Sequence, residues 1–152
     1  MTQATPPTPP KHIVLYADDD VDDLMLVQEA FADYATNVEV VTATSGIEAL
    51  SYLENLSPLD STPCLIILDV NMPRLNGKET LKEIRSRERF EDTPVTLFTT
   101  SSLPLDRAFA ERYKAHFITK PIDITQMSVI ADLFVEHCTD EIKKNIQRRL
   151  SK

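Results

Sequence analysis

The sequence predicts a doubly wound α/β fold, in which one parallel five-stranded sheet is covered on both faces by helices. Three observations carry this expectation. Short apolar runs alternate along the chain with segments of helical periodicity, the pattern of strand, crossover helix and strand. One run, residues 64–68 (Cys64-Leu65-Ile66-Ile67-Leu68), has no polar alternation and is too short for a core helix, so it reads as a central strand buried on both faces. Four of the runs end at charged or hydroxyl residues, and the central one ends at Asp69 and turns at once into a Pro/Asn/Gly loop that closes at Gly77.

Residues 1–10 carry Pro6, Pro7, Pro9 and Pro10 among small polar residues and read as a flexible tail. Residues 11–17 form a first strand that closes onto Asp18-Asp19-Asp20. From Asp22, the residues Leu24, Met25, Val27, Phe31 and Tyr34 fall at helical intervals, with acids in the first turn where the helix dipole favours them. Residues 38–41 are a second strand, and Ser45 with Glu48 makes a capping box for a helix over about 46–56. After the central strand, Gly77 opens a third helix with Leu81 and Ile84 inward and Lys78, Lys82, Arg85, Arg87 and Arg89 outward. Residues 95–98 are a fourth strand ending at Thr99, and Pro104 suits the first turn of a fourth helix striped by Ala108, Phe109 and Tyr113. Residues 116–119 are a fifth strand, followed by Lys120-Pro121. A fifth helix starts near Asp123 or Thr125, with Val129, Ile130, Leu133 and Phe134 inward, and residues 138–152 read as a helical extension. Five strands and five helices with right-handed crossovers give a three-layer, flavodoxin-like sandwich of strand order 2-1-3-4-5, which brings the first and third strands together at the switch point.

Composition narrows the function. With 152 residues and 42% hydrophobic side chains, one core is expected, over residues 11–137. The excess of 24 acidic over 16 basic residues opposes nucleic acid as a partner. A cationic-then-apolar leader and an apolar run of spanning length are both missing, so no membrane contact and a cytoplasmic location are expected. With Gly46 and Gly77 as its two glycines, the chain cannot contain a nucleotide P-loop or a dinucleotide fingerprint. Cys64 and Cys138 suit buried thiols in a reducing compartment.

The strand ends converge on one edge. They deliver Asp18 and Asp19, then Asp69, then Thr99, then Lys120. Carboxylates so close together repel, and a divalent cation resolves the repulsion. Oxygen ligands, with neither Cys nor His among them, favour Mg2+. A carboxylate beside Mg2+ can attack phosphorus while a lysine and a hydroxyl hold the phosphoryl oxygens, which yields an aspartyl phosphate.

Over residues 11–137 the chain resembles the response-regulator receiver domains of two-component signalling. The resemblance rests on the acidic pair after the first strand, on Leu68-Asp69-Val70-Asn71-Met72-Pro73 with Asn76-Gly77 following, on Phe98-Thr99-Thr100-Ser101-Ser102, and on Phe117-Ile118-Thr119-Lys120-Pro121. It is nearest to stand-alone, CheY-like receivers, including those paired with phytochrome-type kinases. It implies that Asp69 accepts a phosphoryl group from a sensor histidine kinase or a histidine phosphotransfer protein. It further implies Asp19 as a direct Mg2+ ligand, Asp18 acting through water, a backbone carbonyl from Asn71, Thr99 as the switch hydroxyl, Lys120 on the phosphate and Phe117 as the switch aromatic. A cis Lys120-Pro121 peptide and self-association through the fourth helix, fifth strand and fifth helix belong to the same expectation.

Two departures qualify it. Phe117 stands where tyrosine is frequent, so no phenol is available there, and a plain core role for the ring stays open. No output domain is expected after the receiver, which leaves phosphotransfer or docking as output. Other polar residues have plain readings: Asp20, Asp22 and Asp23 as solvated helix-start acids, Thr100 to Ser102 as turn residues, with Ser101 near enough to tune hydrolysis, and His12, His116 and His137 as structural. A calcium loop at 18–29 is disfavoured because Asp23 stands where the turn needs Gly. Competing functions are an aspartyl phosphohydrolase of the haloacid-dehalogenase kind, which needs an acid where Asn71 stands, and an inactive receiver serving as a scaffold.

Overall fold

The computed structural model describes residues 11–101, 103–138 and Lys143. The proline-rich tail, and all of the C-terminal extension except Cys138 and Lys143, lie outside them. The described chain alternates β1 (His12–Ala17), α1 (Val21–Ala30), β2 (Val38–Ala43), α2 (Gly46–Glu54), β3 (Leu65–Leu68), α3 (Gly77–Arg85), β4 (Val95–Thr99), α4 (Pro104–Arg112), β5 (His116–Thr119), α5 (Ile124–Met127) and α6 (Ile130–Glu136). All neighbouring strands pair in parallel, in the order β2-β1-β3-β4-β5. This is the expected flavodoxin-like topology.

The strands divide their side chains between two cores, as the period of two requires. Val14, Tyr16, Leu65, Ile67, Phe98 and Ile118 face α1, α5 and α6, where Val27, Phe31, Ile130 and Phe134 cover them. Leu15, Ala17, Ile66, Leu68, Val95 and Leu97 face α2, α3 and α4, where Leu53, Leu81 and Ile84 pack. The four residues of β3 are fully buried, as their unbroken apolar run implies. Cys64 and Cys138 are both buried free thiols within hydrogen-bonding reach of each other.

Several local expectations give way. The α-helical part of α1 ends at Ala30, and Phe31–Tyr34 continues as a 3-10 turn. The single fifth helix is two, giving six helices in place of five among the described residues. Asp123 caps the start of α5 by accepting from the Thr125 amide, but the Ser128 hydroxyl donates to the Thr125 carbonyl at 2.6 Å and competes with the helical ladder there. Val129 then leaves helical geometry (φ -110°, ψ 11°), and the break turns Val129 and Leu133 outward, leaving Ile130 and Phe134 to pack. On α4 Ala110 is buried and Ala108 is not. Arg85 is not a solvated charge. Its guanidinium donates to the carbonyls of Tyr113, Phe90, Thr93 and Lys114 and ties the loops that enter β4 and β5 to the end of α3. The Lys120–Pro121 peptide is trans, since no peptide bond among the described residues is cis.

Candidate functional site

Backbone register brings the polar residues together. Ala17 pairs with Leu68 across β1 and β3, and the Asp69 amide then donates to the Ala17 carbonyl at 3.0 Å, so Asp18 and Asp69 leave adjacent strands side by side. Across β4 and β5, Thr99 pairs with Thr119, and the Lys120 amide donates to the Thr99 carbonyl at 2.7 Å. The loop after β3 folds back tightly: the Gly77 amide donates to the Val70 carbonyl at 3.0 Å, and a Cβ at Gly77 would lie 2.2 Å from the Asp69 carbonyl oxygen. Gly77 therefore permits a close approach that no other residue allows. Asn76 then caps α3 in a reciprocal capping box with Glu79.

Asp18, Asp19 and Asp69 each offer a carboxylate oxygen, and these oxygens lie within 4.8 Å of one another. Asp18 is fully buried, Asp69 is 5% exposed and Asp19 lies open at the lip. Among the described residues, one lysine faces this charge. Lys120 Nζ is 2.7 Å from Asp18 Oδ2 and 2.7 Å from Asp23 Oδ2, but 3.6 Å from Asp69 Oδ2. Burial, and next the negative charge of Asp18, push the Asp69 carboxyl up to about 7, against the opposing pull of Lys120 and of the Asn71 amide at 3.4 Å. Burial works against the Lys120 ammonium, yet its bonds to Asp18 and Asp23 outweigh this and raise its pKa. A hard divalent cation fits this donor set, because the cluster is all oxygen and deficient in positive charge.

The remaining expected residues fall around this cluster. Thr99 is fully buried at the end of β4, and its hydroxyl oxygen accepts from the Ser101 amide at 3.2 Å. Asn71 is exposed at the rim. Phe117 is half-buried on β5, and the Arg107 guanidinium lies over its ring at 4.6 Å from the centroid. Ser101 donates to the buried Asp106, which Lys78 also engages at 2.8 Å, so α3 is strapped to the β4–α4 loop. The bond from Lys78 is the main reason the Asp106 carboxyl lies below its ordinary range.

Two participants escaped the sequence. Asp23, read as a solvated acid, holds Lys120, whereas Asp20 accepts from the Asp22 and Asp23 amides as the cap of α1. Tyr16, inside the first strand, is fully buried and its hydroxyl donates to Asp18 Oδ2 at 2.5 Å. Burial, then the Asp18 charge, pushes its pKa far up and keeps the phenol protonated. The Tyr16 signal was present, since residues two apart at a strand end share a face. The Asp23 contact is 97 positions long-range and left none.

Known proteins share this fold. Among curated relatives, Response regulator Rcp1 of Synechocystis sp. is 33% identical over 95 residues, 61% of this chain and 64% of its own length. Two-component response regulator ARR7 of Arabidopsis thaliana is 28% identical over 145 residues, 90% of this chain and 68% of its own. The chain spans 14% of the Sensor histidine kinase CheAY of Helicobacter pylori. Among solved structures, the phosphorylated cyanobacterial phytochrome response regulator RcpA superposes with TM-score 0.75 at 30% identity, over 86% of this chain and 98% of that one. The Mn2+-bound form of Rcp1 does so with TM-score 0.73 at 26% identity and the same coverage. Residues 14–132 match the response regulator receiver domain, and the chain belongs to that family.

Proposed function

We propose that this receiver takes a phosphoryl group onto Asp69 from a sensor histidine kinase or a histidine phosphotransfer protein in the cytoplasm, with Mg2+ held by Asp18, Asp19, Asp69 and the backbone carbonyl of Asn71. The observation that carries this reading is the cluster of three carboxylates faced by Lys120 at the carboxyl edge of the parallel sheet. The similarity to a phosphorylated and to a Mn2+-bound relative supports it.

An Asp69 oxygen attacks phosphorus, the P–O bond forms as the P–N bond to the donor imidazole breaks, and the ring, which already carries a proton on its other nitrogen, leaves as neutral imidazole with the P–N electron pair. Held by Asp18, Asp19, Asp69 and the Asn71 carbonyl, Mg2+ would supply positive charge that offsets the carboxylates and the incoming phosphoryl oxygens. Asp69 attacks as the carboxylate, so its raised pKa holds back the ion-free form near neutral pH. Lys120 shifts from Asp18 and Asp23 toward the phosphoryl group, and the Thr99 hydroxyl holds another of its oxygens. Movement of Thr99 pulls on Ser101 and, through Asp106 and Lys78, on α3 and α4. Phe117 switches by packing beneath Arg107, and the surface of α4, β5 and the last helices then changes its contacts with partners or a second copy.

Acetyl phosphate with Mg2+ tests the reading. Intact-mass spectrometry should find one hydroxylamine-labile phosphoryl group per chain, absent in EDTA and in Asp69→Asn. No labelling would leave a scaffold, and sustained hydrolysis of phosphorylated metabolites would favour a phosphohydrolase.

A further inference from the structure

The aromatic at the switch position carries no hydroxyl, but a phenol enters the site from another strand. Tyr16 on β1 is fully buried, with its ring edge-on to Phe98 at 6.2 Å between centroids, and Phe98 is in turn edge-on to Phe134 at 5.0 Å. Packing on this side fixes the ring, so its hydroxyl is a donor at a set place.

Among the described residues, three hydrogen bonds reach the Asp18 carboxylate. Oδ2 accepts from the Tyr16 hydroxyl at 2.5 Å and from Lys120 Nζ at 2.7 Å, and Oδ1 accepts from the Asp20 amide at 2.9 Å. These donors differ in kind. The Asp20 amide belongs to the turn into α1 and the Tyr16 hydroxyl to a packed ring, whereas the Lys120 ammonium sits on a flexible stem and is divided among Asp18, Asp23 and Asp69. On the phosphoacceptor reading, on which this inference rests, Lys120 is also the donor that turns to the phosphoryl group. Without Tyr16, Asp18 Oδ2 would then keep no donor among the described residues.

We propose that Tyr16 is a positioning residue of the metal site, whose hydroxyl keeps the Asp18 carboxylate in one orientation for the cation while Lys120 is drawn toward Asp69. A hydrogen-bond donor behind a metal-shell carboxylate commonly changes metal affinity by about tenfold or more.

The test is a calorimetric titration of Mg2+ into the full chain and into Tyr16→Phe, with Tyr34→Phe as control. Tyr34 also donates to a carboxylate, Asp132 Oδ1 at 2.6 Å, but outside the site. Tyr16→Phe should weaken Mg2+ binding by about tenfold while Tyr34→Phe leaves it unchanged. In the wild type, proton NMR should find a slowly exchanging Tyr16 hydroxyl both without Mg2+ and with Mg2+ and beryllofluoride, a readout that does not depend on any variant folding. Equal Mg2+ affinity in Tyr16→Phe and wild type, or loss of the hydroxyl signal on adding Mg2+ and beryllofluoride, overturns the inference and leaves the phosphoacceptor reading intact. Absence of saturable Mg2+ binding in the wild type overturns both.

Discussion

The two edges of the sheet bury charge in opposite ways. At the amino edge, the Arg85 guanidinium is answered by four backbone carbonyls, of Tyr113, Phe90, Thr93 and Lys114. Burial lowers its pKa, but its donors are matched to acceptors and the loops entering β4 and β5 are closed around it. At the carboxyl edge, Asp18, Asp19 and Asp69 crowd together and one lysine is shared among Asp18, Asp23 and Asp69. The first arrangement is satisfied and holds the fold together. The second is short of positive charge, a shortage that a divalent cation would offset.

Breaking the satisfied edge should have the largest effect on stability. Arg85→Met keeps the stem but strands the carbonyls, and urea unfolding should report a loss of about 2–3 kcal/mol. At the other edge the sign reverses. Asp69→Asn removes a repelled buried carboxylate, so in EDTA it should stabilise the protein by about 1–3 kcal/mol above neutral pH. A carboxyl whose folded pKa is raised to about 7 keeps a proton that the unfolded chain has already released, so wild-type stability falls as pH rises from the ordinary carboxylate range through about 7. The gap between Asp69→Asn and wild type should therefore close as pH is lowered, and a gap independent of pH would break the contrast.

Smaller changes sharpen it. Asp23→Asn removes one partner of Lys120 while Asp18 still holds it, and thermal melts should show a cost of about 0.5–1.5 kcal/mol. Arg107→Ala uncovers the half-buried Phe117 ring and should cost about 0.5–1 kcal/mol by the same measurement.

Much of the site was legible because parallel strands send all their carboxyl ends to one edge. Once five runs were recognised, Asp18, Asp19, Asp69, Thr99 and Lys120 were expected at that edge, and the registers of β1 with β3, β3 with β4 and β4 with β5 set those strand ends side by side. The unbroken run of β3 marked the centre of the sheet for the same reason: both its faces are covered. What escaped was the choice of partner. Outward periodicity placed Arg85 in solvent because nothing local indicates four carbonyls arriving from two later loops. Asp23 looked like one more first-turn acid, since its lysine is far along the chain. The break between α5 and α6 coincides with a side-chain bond, from Ser128 to the Thr125 carbonyl, that apolar periodicity does not register, and Val129 and Leu133 were misplaced with it.

Carboxylates left short of positive charge define the carboxyl edge, and proton release on Mg2+ binding tests that most directly. Calorimetric titration of Mg2+ near neutral pH, repeated in buffers of different ionisation enthalpy, counts the protons expelled. Asp69, raised to about 7, should surrender a substantial fraction of a proton as the ion binds, and Asp69→Asn should surrender none. Saturable Mg2+ binding with no proton release from the wild type, or equal release from Asp69→Asn, would contradict a repelled Asp69 carboxyl at the ion site.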